Sequence, residues 1–588
     1  MKKRWIAALI GLALCVAAAF LIESFMPMTF SVDLKKARGI VMEGDTETES
    51  KVTYRLEGYD SFDEFAEEVA YPTVTFEAPG AFSAITLEMS SQDECEVTYD
   101  DGVTQESFYL EYGETQLQLP VSSGEKNISL TFSDPSTVMK KIQLDLLSGS
   151  NPYRVIYMSL ALGAVMLFVI FAKQVAAKIE YGFLIAAIAC VLLIALMAPQ
   201  NSAMWWDGDI HYTNTERISL IPQTLFEEGG VSQVLQNLDV STPSYLVQST
   251  GMFLGRLLPL NDWAETLFHR LFIGAFYVTV CFFAIKMVSH YKRALTVIAL
   301  LPLPLFTAVA YSYDSSINAL AFFGSALILD ELATPNRRLT FARAVLITVS
   351  LSLVCMPKTL YMPILLLAAF MPASKFESRK AARWYRIGVV AACLALVTMY
   401  LAPFMLNQET FNDHRANSPS GSEQLKFILS DIPGYLSMVA SDFTGFFGDM
   451  LLIASRTAWA YFGTGTDTLS LLSLIVMIFA IVTDEEGTPV YERITWRKKC
   501  VIAAMCCLSV LIIYTSLYIS FTSVGDNHVG GMQGRYFLPL FPLAAAVINP
   551  TNIRSRMNTM KLNVGLCLFS AVVVFVMAWQ LLVVPHYL

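Results

Sequence analysis

Charge is what this sequence has least of. Only 15 % of its 588 residues are Asp, Glu, Lys or Arg, against 55 % that are hydrophobic. That balance excludes an ordinary soluble globular chain and places it in the membrane class. A disulfide framework is also missing. Of ten cysteines, Cys95 alone lies in a stretch that reads as soluble, and the others sit in or beside apolar runs. Cys506 and Cys507 read as small apolar helix residues rather than metal ligands. No internal repeat of about 20 to 50 residues is visible, which excludes a solenoid, and no inverted repeat of the transporter kind is apparent. The net charge of −10 is unevenly spread. Between Glu23 and Ser150 there are 25 acidic and 8 basic residues, and the remainder is slightly positive. Such an acidic surface argues against a nucleic-acid partner.

Long apolar runs are what the sequence does have. A spanning helix needs roughly 20 mostly apolar residues, because each backbone N–H and C=O must be satisfied within the segment when no water is at hand. Residues 1–25 read as a signal-anchor helix rather than a cleaved signal peptide, since the apolar run continues to Ile22 without a clear small-x-small site. Lys2, Lys3 and Arg4 then keep the N-terminus inside.

Residues 26–150 break the pattern with short alternating runs, among them "FSAITLEM", "ESFYLEY", "NISLTF" and "KKIQLDLL", separated by turn signals such as "YDDG". This predicts an extracytoplasmic β-sandwich. From residue 151 to 588, spans are expected near 153–172, 181–198, 264–288, 293–311, 315–332, 341–356, 358–373, 386–405, 467–483, 500–520, 535–549 and 562–584. With the anchor there are thirteen, making a polytopic α-helical membrane protein. Every dense basic loop, such as Arg337, Arg338 and Arg343, then falls on the inner side. The expected external loops are 199–262, with an amphipathic surface helix within "LIPQTLFEEGGVSQVLQNL", 406–466 and 521–534.

The polar residues of interest gather on the external side. "WWDGDIH" places Asp207 and Asp209 one residue apart, with His211 two further on. Two carboxylates so spaced suit a hard divalent cation, Mg²⁺ or Mn²⁺, or one serves as a general base, or the pair is a solvated turn. His211 reads as ligand, acid–base group or loop hydrogen-bonder. Tyr313 and Asp314 stand at the mouth of a span, where a carboxylate near lipid needs a partner. Lys358 and Tyr361 lie at an outer hairpin, where the alternative is a snorkelling lysine. Gln533, Arg535 and Tyr536 follow flexible glycines, and the planar arginine fork suits phosphate unless it is an interfacial anchor. His269 and Arg270 lie a turn inside another helix end, where packing is the competing reading. Asp413, His414 and Arg415 read as solvated.

The ordered set "WWDGDIHYTNTERISL", "TPSYLVQSTGMFLGRLL", which contains Tyr245, "FHRLFIGAFY", "AYSYDSSINALAFF", "CMPKTLYMPILLLAAFMP" and "GGMQGRYFLPLFPL" resembles the bacterial multispanning membrane family catalogued as domain of unknown function 2142, over about residues 150 to 585. Gln533-Gly534-Arg535-Tyr536 is the most specific match. The sequence departs where the family carries a glutamate: Gly208 stands there, and Asp209 is the nearest replacement. The family is similar in architecture to the C-type glycosyltransferases, which use polyprenyl-phosphate-linked sugars. The resemblance implies transfer of a sugar to a cell-envelope glycan or glycolipid at the outer face of the bacterial plasma membrane. Asp207, with Asp209 and His211, would act on the acceptor; Arg535, Lys358 and Arg270 would face the lipid phosphate. The rival expectations are a flippase for a lipid-linked glycan, which needs a polar pathway across the membrane, and a non-catalytic scaffold, in which Asp207, Lys358 and Arg535 would lie far apart.

Overall fold

The computed structural model describes residues 2–24, 26, 28–32, 41–43, 51–53, 73–90, 94–111, 115–133, 138–146, 151–200, 205, 207–226, 230–237, 242–407, 421–453, 459, 462–463, 466–484, 493–550 and 559–587. The expected solvated residues 413–415 fall outside these. Two compact units divide the chain: Ile10–Leu162 with the last two residues, and Met1–Leu9 with Gly163–His586.

In the first unit ten strands follow the end of the helix Lys2–Glu23: β1 Met28–Ser31, β2 Val41–Glu43, β3 Lys51–Thr53, β4 Thr73–Glu77, β5 Phe82–Ser90, β6 Cys95–Asp100, β7 Gln105–Leu110, β8 Gln116–Leu119, β9 Asn127–Phe132 and β10 Val138–Leu146. All pairings are antiparallel, in two four-stranded sheets ordered β1-β10-β5-β8 and β4-β9-β6-β7, with β2 and β3 as a separate pair. Alternation in the sequence becomes alternation in burial. Along β6, Cys95, Val97 and Tyr99 point inward, and along β9 Ile128, Leu130 and Phe132 do. Both sheets contribute to one apolar core, which is the expected sandwich. The "YDDG" turn is tied by Asp101, which accepts from the Tyr99 hydroxyl at 3.0 Å and from the Val103 and Thr104 amides. A further tie was not foreseen: Glu23, fully buried, accepts from Arg154 at 2.7 Å and from the Asn151 amide at 2.9 Å.

The helical unit is less regular than thirteen uniform spans. Among the described residues eight helices are long and apolar enough to cross a membrane, and four further apolar helices are shorter. The span expected at 293–311 is two pieces, Lys292–Ala299 and Pro302–Thr307, because Pro302 has no amide to continue the ladder. That at 535–549 is a tight 3₁₀ turn, Gly534–Leu540, followed by Phe541–Ile548, with prolines at 539 and 542. The expected external loop 406–466 holds the helices Gly421–Ser430 and Ile432–Ile453; two aspartates and three glycines in the latter dilute its hydropathy. In the loop 199–262 lie Gly208–Ser219, Ile221–Thr224, Gly230–Asn237 and Leu246–Arg256.

The helix Asp314–Ala333 is the strut of this unit. It is apolar on all sides and every one of its residues but Leu320 is buried, as expected of a helix with no polar face. Gly324 permits its closest approach, since a Cβ there would meet Leu351 at 2.7 Å. Charge is confined to its ends. Asp314 opens it and Asp330 and Glu331 close it, about 24 Å apart at 1.5 Å per residue.

At the closing end, Asp330 meets Arg337 at 2.6 Å and Arg343 at 2.7 Å, while Glu331 meets Arg337, Arg343 and Lys375 at 2.6 to 2.7 Å. The surrounding basic residues also cap helix carbonyls: Lys375 donates to Thr334, Lys498 to Leu332, Lys499 to Asn549, Arg343 to Met287, and Arg293 to Thr483. Each satisfies a carbonyl at or near a helix C-terminus and opposes the negative dipole end. Because neither carboxylate has any exposed side-chain surface, removing one strands its cations. Glu331→Ala is expected to destabilise the protein by about 3–5 kcal/mol, read as a lowered unfolding midpoint in detergent. Arg337→Ala, whose side chain is 36 % exposed and whose removal leaves both carboxylates paired with Arg343 and Glu331 also with Lys375, should lower the midpoint less than Glu331→Ala does.

Candidate functional site

The opposite end of the strut carries the site. Six residues, Ala308 to Tyr313, link the helix Pro302–Thr307 to Asp314–Ala333, and the end of this link, 311–314, runs into the strut. Gln248 steadies this link by donating to the Ser312 carbonyl at 3.0 Å, and the Ser312 hydroxyl accepts from the Asp314 amide at 3.2 Å. Asp314 is thereby the first residue of a helix, where the dipole favours a carboxylate.

That carboxylate is shared. Lys358 Nζ lies 2.6 Å from one oxygen and Arg535 Nη1 lies 3.2 Å from the other. Arg535 also reaches Asp207 through Nη2, at 3.4 Å, longer than the 2.7–2.9 Å typical of charge-assisted bonds. Aromatic rings surround the cations. Lys358 Nζ is 5.3 Å from the Tyr313 centroid and 5.0 Å from that of Tyr536, over which Arg535 also lies at 5.5 Å. Such contacts stabilise ammonium and guanidinium groups. The Tyr361 hydroxyl donates to the Tyr536 carbonyl at 2.8 Å, tying the 358–361 segment to the 3₁₀ turn that carries Arg535. Exposure is graded across the cluster: side chains of Arg535 and Asp314 are 5 % and 6 % exposed, Lys358 15 % and Asp207 32 %. Asp207 is the most exposed of the four.

These residues come from segments separated by up to 328 positions, yet they form one connected group. The family model of predicted membrane proteins catalogued as domain of unknown function 2142 matches residues 233–544. The chain belongs to this family. No curated protein matches it. The matched span contains Tyr245, Asp314, Lys358 and Arg535 but begins after Asp207, Asp209 and His211, so it is shorter than the expected 150 to 585 and omits the first carboxylate motif.

Asp207 has φ of 48°, in the left-handed region, immediately before the helix Gly208–Ser219. For a residue other than glycine this costs on the order of 1–3 kcal/mol and persists only where the surroundings enforce it. His211, one turn on, is buried. Its Nδ1 is 2.7 Å from the Tyr245 hydroxyl, and its ring stands edge-on to Tyr313 with centroids 4.9 Å apart. Burial, the largest influence, holds its pKa down at about 4; Arg535 and Lys358 push the same way while Asp314 and Asp207 oppose them. The ring is therefore neutral at pH 7.

The remaining expected residues divide. Tyr245 and Tyr313 join the cluster through their rings, 5.1 Å apart. Gln533 sits at the start of the 3₁₀ turn with a side-chain oxygen that accepts no hydrogen bond. Asp209 is exposed in the first turn of its helix, while Asp207 faces the Arg535 guanidinium. Among the described residues no group of three or more His, Cys, Asp or Glu side chains suits a metal ion. Arg270 donates to the carbonyls of Ala195, Ala198 and Pro199, capping the helix Ile179–Met197. His269 stacks on Tyr311 at 4.5 Å, and neither ring nitrogen has a hydrogen-bond partner. Gln248 and Ser312 were missed as supports, although both lie in motifs visible in the sequence.

The low His211 pKa has a stability consequence. Above pH 6.5 the ring is neutral whether the chain is folded or unfolded. As pH falls from 6.5 towards 4, the unfolded chain takes up a proton that the folded chain refuses, so folding stability declines across that window. His211→Gln is expected to lose less of its unfolding temperature than the parent between pH 7 and 4.5, measured in the same detergent. An equal loss in both would contradict the buried neutral ring.

Proposed function

We propose that this protein is a membrane glycosyltransferase of C-type character, moving a sugar from a polyprenyl-phosphate carrier to a cell-envelope glycan or glycolipid at the outer face of the bacterial plasma membrane. In this reading the N-terminus lies inside, and the site and the sandwich face outside. The observation that carries the reading is the Asp207–Arg535–Asp314–Lys358 chain of contacts. It joins the partly exposed carboxylate to two cations at a helix end, whereas a scaffold has no use for such convergence. A flippase needs polar groups along the middle of the bundle. The strut instead carries its charges at its two ends, with Asn318 bonded to Thr307 at 3.4 Å between them.

The chemistry follows from exposure and charge. The acceptor hydroxyl oxygen attacks the sugar carbon bearing the phosphate. That carbon–oxygen bond breaks, its electron pair leaves with the lipid phosphate, and the hydroxyl proton passes to Asp207. Arg535 and Lys358 stabilise the departing charge in a site already shielded from water. Asp314 holds both cations in place and stays ionised. Mg²⁺ or Mn²⁺ at Asp207 and Asp209 is not part of this route.

Asp207→Asn, which keeps the shape and removes the base, is expected to lower sugar transfer by about 100-fold or more without loss of protein from the membrane. Arg535→Lys should retain the charge but lose the two-pronged contact, with a smaller fall in rate. Undiminished incorporation of labelled sugar into surface glycans by Asp207→Asn would overturn the proposal. Comparison of surface glycans from deletion and parent strains by mass spectrometry would identify donor and acceptor.

A further inference from the structure

Two residues before Asp207, a column of stacked rings begins. The Trp205 indole lies flat on Phe306, with centroids 4.6 Å apart and planes 12° from parallel, and Phe306 lies flat on Trp459 at 5.0 Å and 11°. Phe462 meets Trp205 and Phe306 edge-on at 5.5 and 5.8 Å. The Arg270 guanidinium carbon is 5.4 Å from the Trp205 centroid, and Arg270 is itself fixed to the carbonyls of Ala195, Ala198 and Pro199. Trp205 and Trp459 are buried, at 4 % and 0 % exposure. The column is thus anchored to three helices, Ile179–Met197, Asp262–Met287 and Pro302–Thr307.

The Trp205 carbonyl accepts from the Gly208 amide at 3.0 Å, and the Asp207 carbonyl accepts from the His211 amide at 2.9 Å. Between these two bonds sits the left-handed Asp207. A strained residue needs such fixing on both sides. We propose that Trp205 is a positioning residue for Asp207, with Arg270 and Phe306 acting through it. The indole sets where the turn starts, the turn sets the left-handed backbone, and that backbone aims the carboxylate at Arg535. The role given to Arg270 is mechanical, in place of the phosphate contact expected from its sequence position. The inference rests on the reading of Asp207 as the base only for its effect on rate; the positioning itself is independent of it.

Two measurements on the full chain in detergent separate these parts. Hydrogen–deuterium exchange read by mass spectrometry reports the turn directly. Trp205→Ala should speed exchange at residues 208–211 by about tenfold or more, and Trp205→Phe, which keeps a ring to stack, should stay near the parent. In a transfer assay on the same preparations, Trp205→Ala should lower kcat by about tenfold to a hundredfold with KM for the lipid-linked donor little changed, and Trp205→Phe should restore it. Should Trp205→Ala fail to accumulate, Phe306→Leu removes the middle of the column and is read in the same way. Unchanged exchange at 208–211 would overturn the proposal, as would faster exchange with kcat intact in a protein that needs Asp207. Faster exchange in Trp205→Ala, combined with full transfer by Asp207→Asn, would uphold the positioning and refute the assignment of Asp207 as base.

Discussion

The arrangement of the site depends on one buried carboxylate with two cations. Asp314 accepts from Lys358 on one oxygen and from Arg535 on the other, and all three groups are largely removed from water. An unpaired charge at such depth is costly, so the 311–314 link, the 358–361 hairpin and the 533–536 turn are stable together and unstable apart. Arg535 carries the connection to Asp207, and through it to the first helix of the long loop. At that last step the contact is longer, 3.4 Å. Asp207 is also the most exposed of the four, with 32 % of its side-chain surface open.

The same strut helix meets a second network at its far end, and the comparison is instructive. There Asp330 and Glu331 face Arg337, Arg343 and Lys375, all mutually paired. The neighbouring lysines and arginines are bonded to terminal helix carbonyls. These basic loop residues thus close helix C-termini.

How much of this was legible beforehand follows from what each signal measures. Alternation in "NISLTF" reports a half-buried strand directly, and the apolar length of Ile179–Met197 reports a spanning helix directly. Breaks escaped because hydropathy is blind to backbone donors: Pro302 and Pro304 are apolar, yet they divide 293–311 into two short helices. The helix Ile432–Ile453 escaped for the converse reason, since its glycines and aspartates lower hydropathy without preventing a helix. Among the site residues, Asp314, Lys358 and Arg535 were recognisable as charges at helix ends that needed partners. Asp209 and Arg270 were recognisable in the same way, but the first faces solvent and the second caps a helix.

The sequence by itself determined that the chain is a membrane protein with an acidic sandwich, and that its unusual charges lie near the ends of apolar segments. These are properties of composition and spacing, which do not require knowing which segments touch. Tertiary structure alone decided which charges pair, because partners hundreds of residues apart are chosen by helix packing. It also decided that Trp205, an ordinary apolar residue in the sequence, stacks between Arg270 and Phe306 where the chain turns into Asp207. Stacking depends on the angle and distance between rings, and neither is encoded locally.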